Sequence, residues 1–218
     1  MAINNRREIY LLSPSSKEGL SHLPMITFAL VAKQIDFSGC DTLMFSSKQA
    51  VKSAEAIDPG WKHYPCVAIG GATKKQIESL GGQVIHHPEN FYADALADDI
   101  ITYFSDKKLL YLRPKEVSFD SKGYLEKAGI LLQEQIIYET SCISYEREQA
   151  PKAGAVIIFT SPSSIHCFLK NFPWQESYTA IVIGHATKTH LPKGADFAVA
   201  DIPLISACIA KAKELQSY

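Results

Sequence analysis

Two matching stretches decide the fold of this chain: Val67-Ala68-Ile69-Gly70-Gly71-Ala72-Thr73-Lys74 and Ile181-Val182-Ile183-Gly184-His185-Ala186-Thr187-Lys188. In each stretch, three apolar residues lead into a glycine turn and then into a helical pattern. A second matching pair, Phe45-Ser46-Ser47 and Phe159-Thr160-Ser161, precedes them. The interval from Phe45 to Phe159 equals the interval from Ile69 to Ile183. Two motifs that keep one spacing indicate a duplicated α/β unit with a pair of ligand sites.

The size and composition of the chain are those of an ordinary globular protein. Its 218 residues fit one large or two small domains. Hydrophobic residues make up 46% and charged residues 21%, which is typical of soluble domains. The net charge of −1 lacks the basic excess of a nucleic-acid-binding protein. An anionic ligand must therefore be held by local donors.

The cysteines and the lengths of the apolar runs indicate the cellular compartment of the protein. The five cysteines are odd in number and form no C-x-x-C pair, which favours buried small apolar side chains in a reducing compartment. They are Cys40, Cys66, Cys142, Cys167 and Cys208. Residues 1–7 are polar and lack the apolar segment of a signal peptide, and no apolar run is long enough to span a membrane. We therefore expect a cytoplasmic protein.

Short apolar runs alternate with amphipathic helical patterns along the chain, which predicts parallel sheets with right-handed crossovers. The predicted strands are 9–12, 25–31, 42–45, 67–69, 83–86, 109–112, 133–143, 156–159 and 181–183. Predicted helices follow most of them, and the last covers 202–215. The segment 15–21 leaves room for only a short helix or loop.

This order of elements predicts an α/β fold of two flavodoxin-like lobes with parallel sheets, joined by a two-stranded β connector, with a cleft between the lobes. The first lobe is discontinuous and combines residues 1–30 with 145–218. The second lobe covers 36–138. The connector strands lie near 25–35 and 136–145.

In doubly wound sheets, ligands bind beyond the carboxyl ends of the strands. Hydroxyl groups and helix N-termini predominate at these positions, and both suit anionic oxygens. In the second lobe the predicted binding positions are Ser46, Ser47, Gly70, Gly71, Thr73 and Arg113. In the first lobe they are Ser13, Thr160, Ser161, Ser163, Gly184, His185 and Thr187. Thr73 and Thr187 are predicted to cap their helices from opposite walls of the cleft and to hold carboxylates there.

Each of these positions also has a purely structural interpretation. A serine or threonine can simply cap its helix, Arg113 can close a strand end, and Tyr138 can be a packed aromatic residue instead of a phenol that faces the ligand. His86-His87 suggests a metal, but no second cluster has ligand spacing, which favours a solvated loop. Neither G-x-G-x-x-G nor G-x-x-x-x-G-K occurs, and no catalytic triad follows from spacing.

Taken together, the motifs resemble those of the uroporphyrinogen-III synthase family. The resemblance rests on Ile158–Ser164, on Ala180–Thr187, and on their counterparts at 44–51 and 67–74. Gln135-Ile136-Ile137-Tyr138-Glu139-Thr140 is similar to the V-Y-x-T stretch of that family. The order and spacing of the motifs cover nearly the whole chain from Ile9. One departure is that Ser13-Pro14 stands where the family often has Arg-Pro, so Arg113 is expected to be the only arginine of that pair.

The resemblance implies a cyclising lyase that needs no cofactor or metal. The substrate would be hydroxymethylbilane, a linear tetrapyrrole polycarboxylate. Loss of water would give an azafulvene cation, and a spiro-pyrrolenine would follow before the ring closes with ring D inverted. Tyr138 would act as the general acid for the leaving hydroxyl. The family also implies a monomer, and the net charge and the lack of a long apolar run predict no nucleic-acid or membrane partner.

Two other classes of function remain open from the residues. A non-enzymatic two-lobed small-anion binding protein would share the fold, although such proteins are usually exported. A nucleotide or sugar-phosphate enzyme would need a phosphate loop or an acidic metal cluster, and the sequence has neither.

Overall fold

The structure is a computed structural model, and it describes residues 6–89 and 93–216. The predicted lack of a signal segment depends partly on residues 1–5, which lie outside the described residues.

Strands and helices alternate through the described chain. The strands are β1 Ile9–Leu11, β2 Ser21–His22, β3 Ile26–Leu30, β4 Thr42–Phe45, β5 Pro65–Ala68, β6 Gln83–His86, β7 Leu109–Pro114, β8 Leu132–Cys142, β9 Val156–Phe159, β10 Thr179–Val182 and β11 Asp196–Val199. The α-helices are α1 Lys48–Ile57, α2 Gly71–Ser79, α3 Ala93–Tyr103, α4 Ser121–Lys127, α5 Pro162–Asn171, α6 His185–Lys188 and α7 Ile205–Leu215. Two short 3₁₀ helices cover Pro59–His63 and Arg147–Gln149.

The chain divides into two compact units. Unit 1 combines Met1–Thr27 with Ser141–Tyr218, and unit 2 is Phe28–Thr140. The chain passes from one unit to the other within β3 and again within β8. The predicted α/β fold with parallel sheets is confirmed, since every pair among β1, β2, β9, β10 and β11, and among β4 to β8, runs parallel.

When the strands of the two sheets are matched through the sequence duplication, both sheets have the same strand order. The sheet of unit 1 has the order β11-β10-β9-β1-β2, which is the flavodoxin-like order 5-4-3-1-2. The sheet of unit 2 has β6-β5-β4-β7-β8, followed by β3. The duplication pairs β9 with β4, and β10 with β5. Each unit therefore combines strands from both halves of the duplicated sequence.

The strands β3 and β8 are neighbours in the six-stranded sheet. Val31 N–H donates to the Ile137 carbonyl at 3.1 Å, and Ile143 N–H donates to the Met25 carbonyl at 2.9 Å. These partners run in opposite directions along the two strands, so the pair is antiparallel.

Each unit has apolar layers on both faces of its sheet. In unit 2, Leu43 and Phe45 of β4 pack against α1, whereas Met44 packs against α3. This alternation follows from the two-residue period of a strand. In unit 1, α7 covers one face, and an aromatic cluster centred on Phe168 includes Phe159 of β9.

The structure differs from the sequence prediction at several elements. Strands β2 and β11 were not predicted, and the chain around Ser21 is extended. The helix after Gly184 is only four residues long. Cys142 and Cys167 form a disulfide within unit 1, so the interpretation of all five cysteines as buried apolar side chains is wrong for this pair. Cysteine pairing depends on which chain segments meet in space, and sequence spacing does not encode that.

Candidate functional site

The site in unit 2 lies where the strand order reverses. Strands β4 and β7 are neighbours, but the chain continues from β4 toward β5 and from β7 toward β8, on opposite sides. Ligands of doubly wound proteins bind beyond the carboxyl ends of such a strand pair. The residues there are Ser46 and Ser47 after β4, and Arg113 at the end of β7.

Ser47 forms the N-cap of α1 and contacts Tyr138. Its Oγ accepts a hydrogen bond from Ala50 N–H at 3.0 Å, as an N-cap serine should. The same Oγ lies 3.0 Å from the Tyr138 hydroxyl oxygen. Tyr138 is 4% exposed and packs edge-on against Phe28, with 5.8 Å between ring centroids. The structure therefore brings together two predicted site residues, Ser47 and Tyr138.

Ser46 forms a similar hydroxyl–hydroxyl pair with Tyr111, a residue that the sequence did not predict for the site. The Tyr111 hydroxyl donates to Ser46 Oγ at 2.6 Å. Tyr111 lies on β7 and belongs to the apolar layer next to α3, whereas Tyr138 belongs to the layer next to α1. Two adjacent serines therefore meet two tyrosines from opposite faces of one sheet. The alternation that places Tyr111 and Arg113 on one side of β7 is the sequence signal that identifies Tyr111.

Burial raises the pKa values of both phenols above the ordinary 10.0. Desolvation raises the pKa of Tyr138, and the hydrogen bond with Ser47 opposes this shift. Desolvation also raises the pKa of Tyr111, against the hydrogen bond to Ser46. Both residues are therefore proton donors at neutral pH.

Arg113 is engaged within its own unit. Its Nε lies 3.0 Å from Glu134 Oε1, and both side chains are mostly buried. The Nε–H does not point at an acceptor among the described residues, so this contact is an ion pair without an aligned hydrogen bond. The Nη1 group donates to the carbonyls of Pro114 and Lys115 at 3.0 and 3.1 Å. These backbone bonds agree with the strand-closing interpretation, and Glu134 is a second site residue that the sequence did not identify.

The turn after β5 corrects the predicted helix cap. Helix α2 begins at Gly71, and Gly70 is its N-cap in extended conformation without a side-chain bond. Thr73 is the third residue of the helix, is 4% exposed, and donates its N–H to the Gly70 carbonyl at 3.0 Å. The prediction that Thr73 caps this helix is therefore wrong. A short hydroxyl residue is compatible with both the N-cap and the first turn, so its type alone does not separate them.

Unit 1 has the corresponding reversal between β1 and β9. Ser161 is the N-cap of α5, where its Oγ accepts from Ser164 N–H at 3.2 Å. Its own N–H donates to Ser164 Oγ at 3.3 Å. Thr160 is half-buried and Ser163 is exposed. Ser13, at the end of β1, is buried, and its hydroxyl donates to the Ser15 carbonyl at 2.7 Å. Ser13 therefore closes a local turn.

The second glycine turn has the same geometry as the first. Gly184 is the N-cap of α6, and Thr187 is its third residue, 3% exposed. Thr187 donates its N–H to the Gly184 carbonyl at 3.1 Å, so it does not cap the helix as predicted. His185 is exposed at the start of α6. A Cβ on Gly184 would meet nothing within 4 Å, so open space lies in front of this residue. That Thr73 and Thr187 act on one ligand stays a prediction.

The His86-His87 pair belongs to a separate surface depression of 550 Å³. His86 Nε2 lies 2.7 Å from Asp99 Oδ2. Within residues 6–89 and 93–216, no three His, Cys, Asp or Glu side chains come together in a way that could hold a metal ion. In the same ranges, no helix has the length and apolar character needed to cross a membrane.

The fold and the candidate site define an α/β protein of two doubly wound units, with hydroxyl groups and backbone donors where each sheet reverses, and with Arg113 at the reversal in unit 2. The family model described as uroporphyrinogen-III synthase HemD matches residues 21–210. The chain belongs to the uroporphyrinogen-III synthase family.

Two solved structures are similar to this chain. A uroporphyrinogen-III synthetase from Helicobacter pylori is 26% identical, with a TM-score of 0.81 over 96% of this chain and 99% of that chain. A mutant uroporphyrinogen III synthase from Thermus thermophilus is 9% identical, with a TM-score of 0.57 over 97% of this chain and 100% of that one. At that identity the second likeness shows the fold alone. No curated protein sequence matches the chain.

Proposed function

We propose that this protein is a uroporphyrinogen-III synthase, a lyase that cyclises hydroxymethylbilane to uroporphyrinogen III with loss of water. The observation that carries this conclusion is the family match over residues 21–210. The likeness to the Helicobacter pylori protein, which extends over nearly all of both chains, supports it. No feature of the chain favours the non-enzymatic anion-binding alternative over this activity.

The substrate carries acetate and propionate side chains, so its binding requires donors for carboxylates. We propose that neutral hydroxyls, backbone N–H groups and Arg113 supply them. The proposed substrate-binding positions are Ser46, Ser47, Gly71, Thr73, Arg113, Thr160, Ser161, Ser163, Gly184, His185 and Thr187. Because Thr73 and Thr187 are buried in the first turns of their helices, their proposed part is to support the turns that carry Gly71 and His185.

The reaction begins with departure of the terminal hydroxyl. Protonation breaks its C–O bond and releases water, which leaves an azafulvene cation. The last pyrrole ring attacks this cation through its substituted carbon and forms the spiro-pyrrolenine. Fragmentation and reclosure join the ring through its other α-carbon, which loses a proton. The protein has to hold the chain folded so that the direct closure is slower than this route.

Tyr138 is the proposed general acid for the first step. Its phenol is protonated at neutral pH, since the ordinary tyrosine pKa of 10.0 already lies well above neutrality and burial raises it further. When Ser47 donates to the phenol oxygen, the Tyr138 proton is free for the leaving hydroxyl, and the phenolate that forms keeps a donor. The proton lost from the α-carbon at closure restores the phenol, so no proton is consumed over the cycle.

The test is a product analysis. Purified protein is incubated with hydroxymethylbilane, the products are oxidised, and the type I and type III isomers are separated. We expect type III to predominate. Type I alone, the product of spontaneous closure, would contradict the proposed function and would favour a binding protein.

The family resemblance also supports a monomer that acts in the cytoplasm and needs no cofactor. Sedimentation should give the mass of one 218-residue chain, with and without substrate. A stable dimer would contradict the monomer.

A further inference from the structure

The two serines after β4 use their hydroxyl groups differently. Ser47 Oγ already accepts the Ala50 N–H, and Tyr138 is its second partner. Ser46 Oγ accepts from Tyr111, and no acceptor for its own proton occurs among the residues that the structure describes. A serine hydroxyl has one proton and two lone pairs. The Ser46 proton is therefore available to a ligand.

We propose that Tyr111 is a positioning residue that directs the Ser46 hydroxyl toward a substrate carboxylate. The proposal rests on the proposed function, and it adds a residue to the same site. Tyr111 is 3% exposed, and Ser46 is half-buried at the carboxyl end of β4. The phenol fixes the orientation of Ser46, whereas the serine makes the contact with the substrate.

The direction of the hydrogen bond follows from burial. A buried phenol that gave up its donor bond would leave an unsatisfied polar group, which is costly. Tyr111 therefore donates and Ser46 accepts. Hydrogen bonds in a chain polarise one another, so a serine that accepts from a phenol becomes a stronger donor to an anion.

Charged neighbours place this pair in the anion site. Tyr111 pairs with Glu134 in the register between β7 and β8, and Arg113 follows two residues later on the same side of β7. The Arg113 guanidinium lowers the pKa of Tyr111 and the Glu134 carboxylate raises it, so both charges are within electrostatic reach of the phenol. Ser46, Tyr111, Arg113 and Glu134 therefore form one group.

A double-mutant cycle tests this role. Tyr111→Phe, Ser46→Ala and the double variant are compared in steady-state kinetics of type III formation. We expect each single variant to raise KM roughly tenfold, the effect of losing one hydrogen bond to a charged group, with kcat little changed. The double variant should be no worse than Ser46→Ala, because Tyr111 acts through Ser46. If the two single effects on KM multiply in the double variant, or if the variants lower only kcat, the proposal is wrong.

Tyr178→Phe is the matched control. Tyr178 is also buried, and its hydroxyl donates to the Pro151 carbonyl at 2.7 Å within unit 1. The control loses one buried hydrogen bond outside the site, so its KM should equal that of wild type. An equal rise in KM for Tyr178→Phe would mean that Tyr111 has only a structural role.

A second variant keeps the packing of Tyr111 and changes only its acidity. Site-specific 3,5-difluorotyrosine at position 111 should ionise at lower pH and then cease to donate to Ser46. KM should rise within a pH range in which the wild-type KM is constant. An unchanged pH profile would overturn the proposal.

If wild type forms only type I product, both the proposed function and this inference fail. If wild type forms type III product but the Tyr111→Phe and Ser46→Ala effects on KM multiply in the double variant, only this inference fails.

Discussion

The hydroxyl oxygen of Tyr138 lies 3.0 Å from Ser47 Oγ, the atom that caps helix α1. This contact links a strand that passes between the two units to the first turn of a helix. The N-terminus of α1 carries a partial positive charge, which favours the anionic form of a nearby ligand or phenol. Burial of Tyr138 opposes its ionisation in the resting protein. A phenol under these two influences is suited to donate a proton and then recover it.

Tyr138→Phe should reduce the kcat of type III formation by about a hundredfold, since it removes a general acid. The fold should persist, because phenylalanine keeps the edge contact with Phe28. The measurement is the isomer ratio and the rate of water loss. Tyr145→Phe, which removes a hydroxyl bound to the Pro24 carbonyl in unit 1, is the control and should behave as wild type. Wild-type kcat in Tyr138→Phe would refute the assignment.

The buried phenols also predict how stability depends on pH. Folding raises the pKa values of Tyr111 and Tyr138 above the ordinary 10.0, so at higher pH the unfolded chain releases these protons first. Their contribution to stability is complete below pH 10.0 and is lost as the pH rises through the folded-state pKa values. The free energy of unfolding should therefore fall above that pH, and less steeply in Tyr138→Phe. Tyr103→Phe, which removes an exposed phenol, should follow the wild-type curve in urea titrations.

Three strands have the bounds that the sequence predicted. β4, β6 and β9 begin and end where predicted, because continuous apolar or alternating runs bounded by turn residues are strong signals. β2 and β11 are edge strands, bonded to β1 and β10, and neither was predicted. β2 has only two residues and no apolar run, whereas the apolar residues Phe197-Ala198-Val199 of β11 were not recognised as a strand. A strand such as β2 depends on a neighbour that the local sequence does not show.

The sequence predicted where Ser46, Ser47 and Arg113 lie in the fold, but it did not predict their contacts. Parallel topology places Ser46, Ser47 and Arg113 at one sheet edge, and that inference requires only strand order. The partners Tyr111 and Glu134 lie inside strands. Alternation along β7 places Tyr111 on the side of Arg113, but the sequence does not show that its hydroxyl meets Ser46 or that Glu134 meets Arg113. The cap assignments of Thr73 and Thr187 failed because hydrogen bonding, not residue type, decides where a helix begins.

The disulfide of unit 1 should contribute measurably to stability. Cys142 ends β8 and Cys167 lies in α5, 25 residues further along the chain. Closing a loop of this length stabilises a domain by about 3 kcal/mol in the chain-entropy model. A thiol reductant should therefore lower the thermal unfolding temperature of wild type and leave that of Cys142→Ser unchanged. The same shift in both proteins would exclude this bond as its cause.

Substitutions at two glycines should distinguish an effect on substrate binding from an effect on stability. Gly184 has a φ of −178°, which any residue adopts, and a Cβ there meets nothing within 4 Å. Gly184→Ala should unfold like wild type but raise KM roughly three- to tenfold, since its methyl group occupies the open space proposed for substrate. Gly82→Ala is the converse control. Its Cβ would come within 2.6 Å of Trp61 Cη2 and 2.8 Å of Ile77 Cγ2, so it should lower stability by about 1–3 kcal/mol.

Glu134 should weaken substrate binding in the wild-type protein. Its carboxylate lies 3.0 Å from Arg113 Nε and offsets the positive charge of the guanidinium. In Glu134→Gln the guanidinium stays in place, because Nη1 still donates to the Pro114 and Lys115 carbonyls. KM should fall roughly threefold, a modest gain because the pair is partly solvated.

The control for this prediction is Glu139→Gln. Glu139 lies on β8, like Glu134, and pairs with Lys115 at 3.1 Å. This ion pair is more exposed than that of Glu134 with Arg113. Removing its charge should change KM little. The KM of Glu134→Gln should also rise more steeply with ionic strength than that of wild type, because an uncompensated cation then contributes to binding. If KM rises in Glu134→Gln at low salt, Glu134 supports the orientation of Arg113, and the electrostatic role given to it here is wrong.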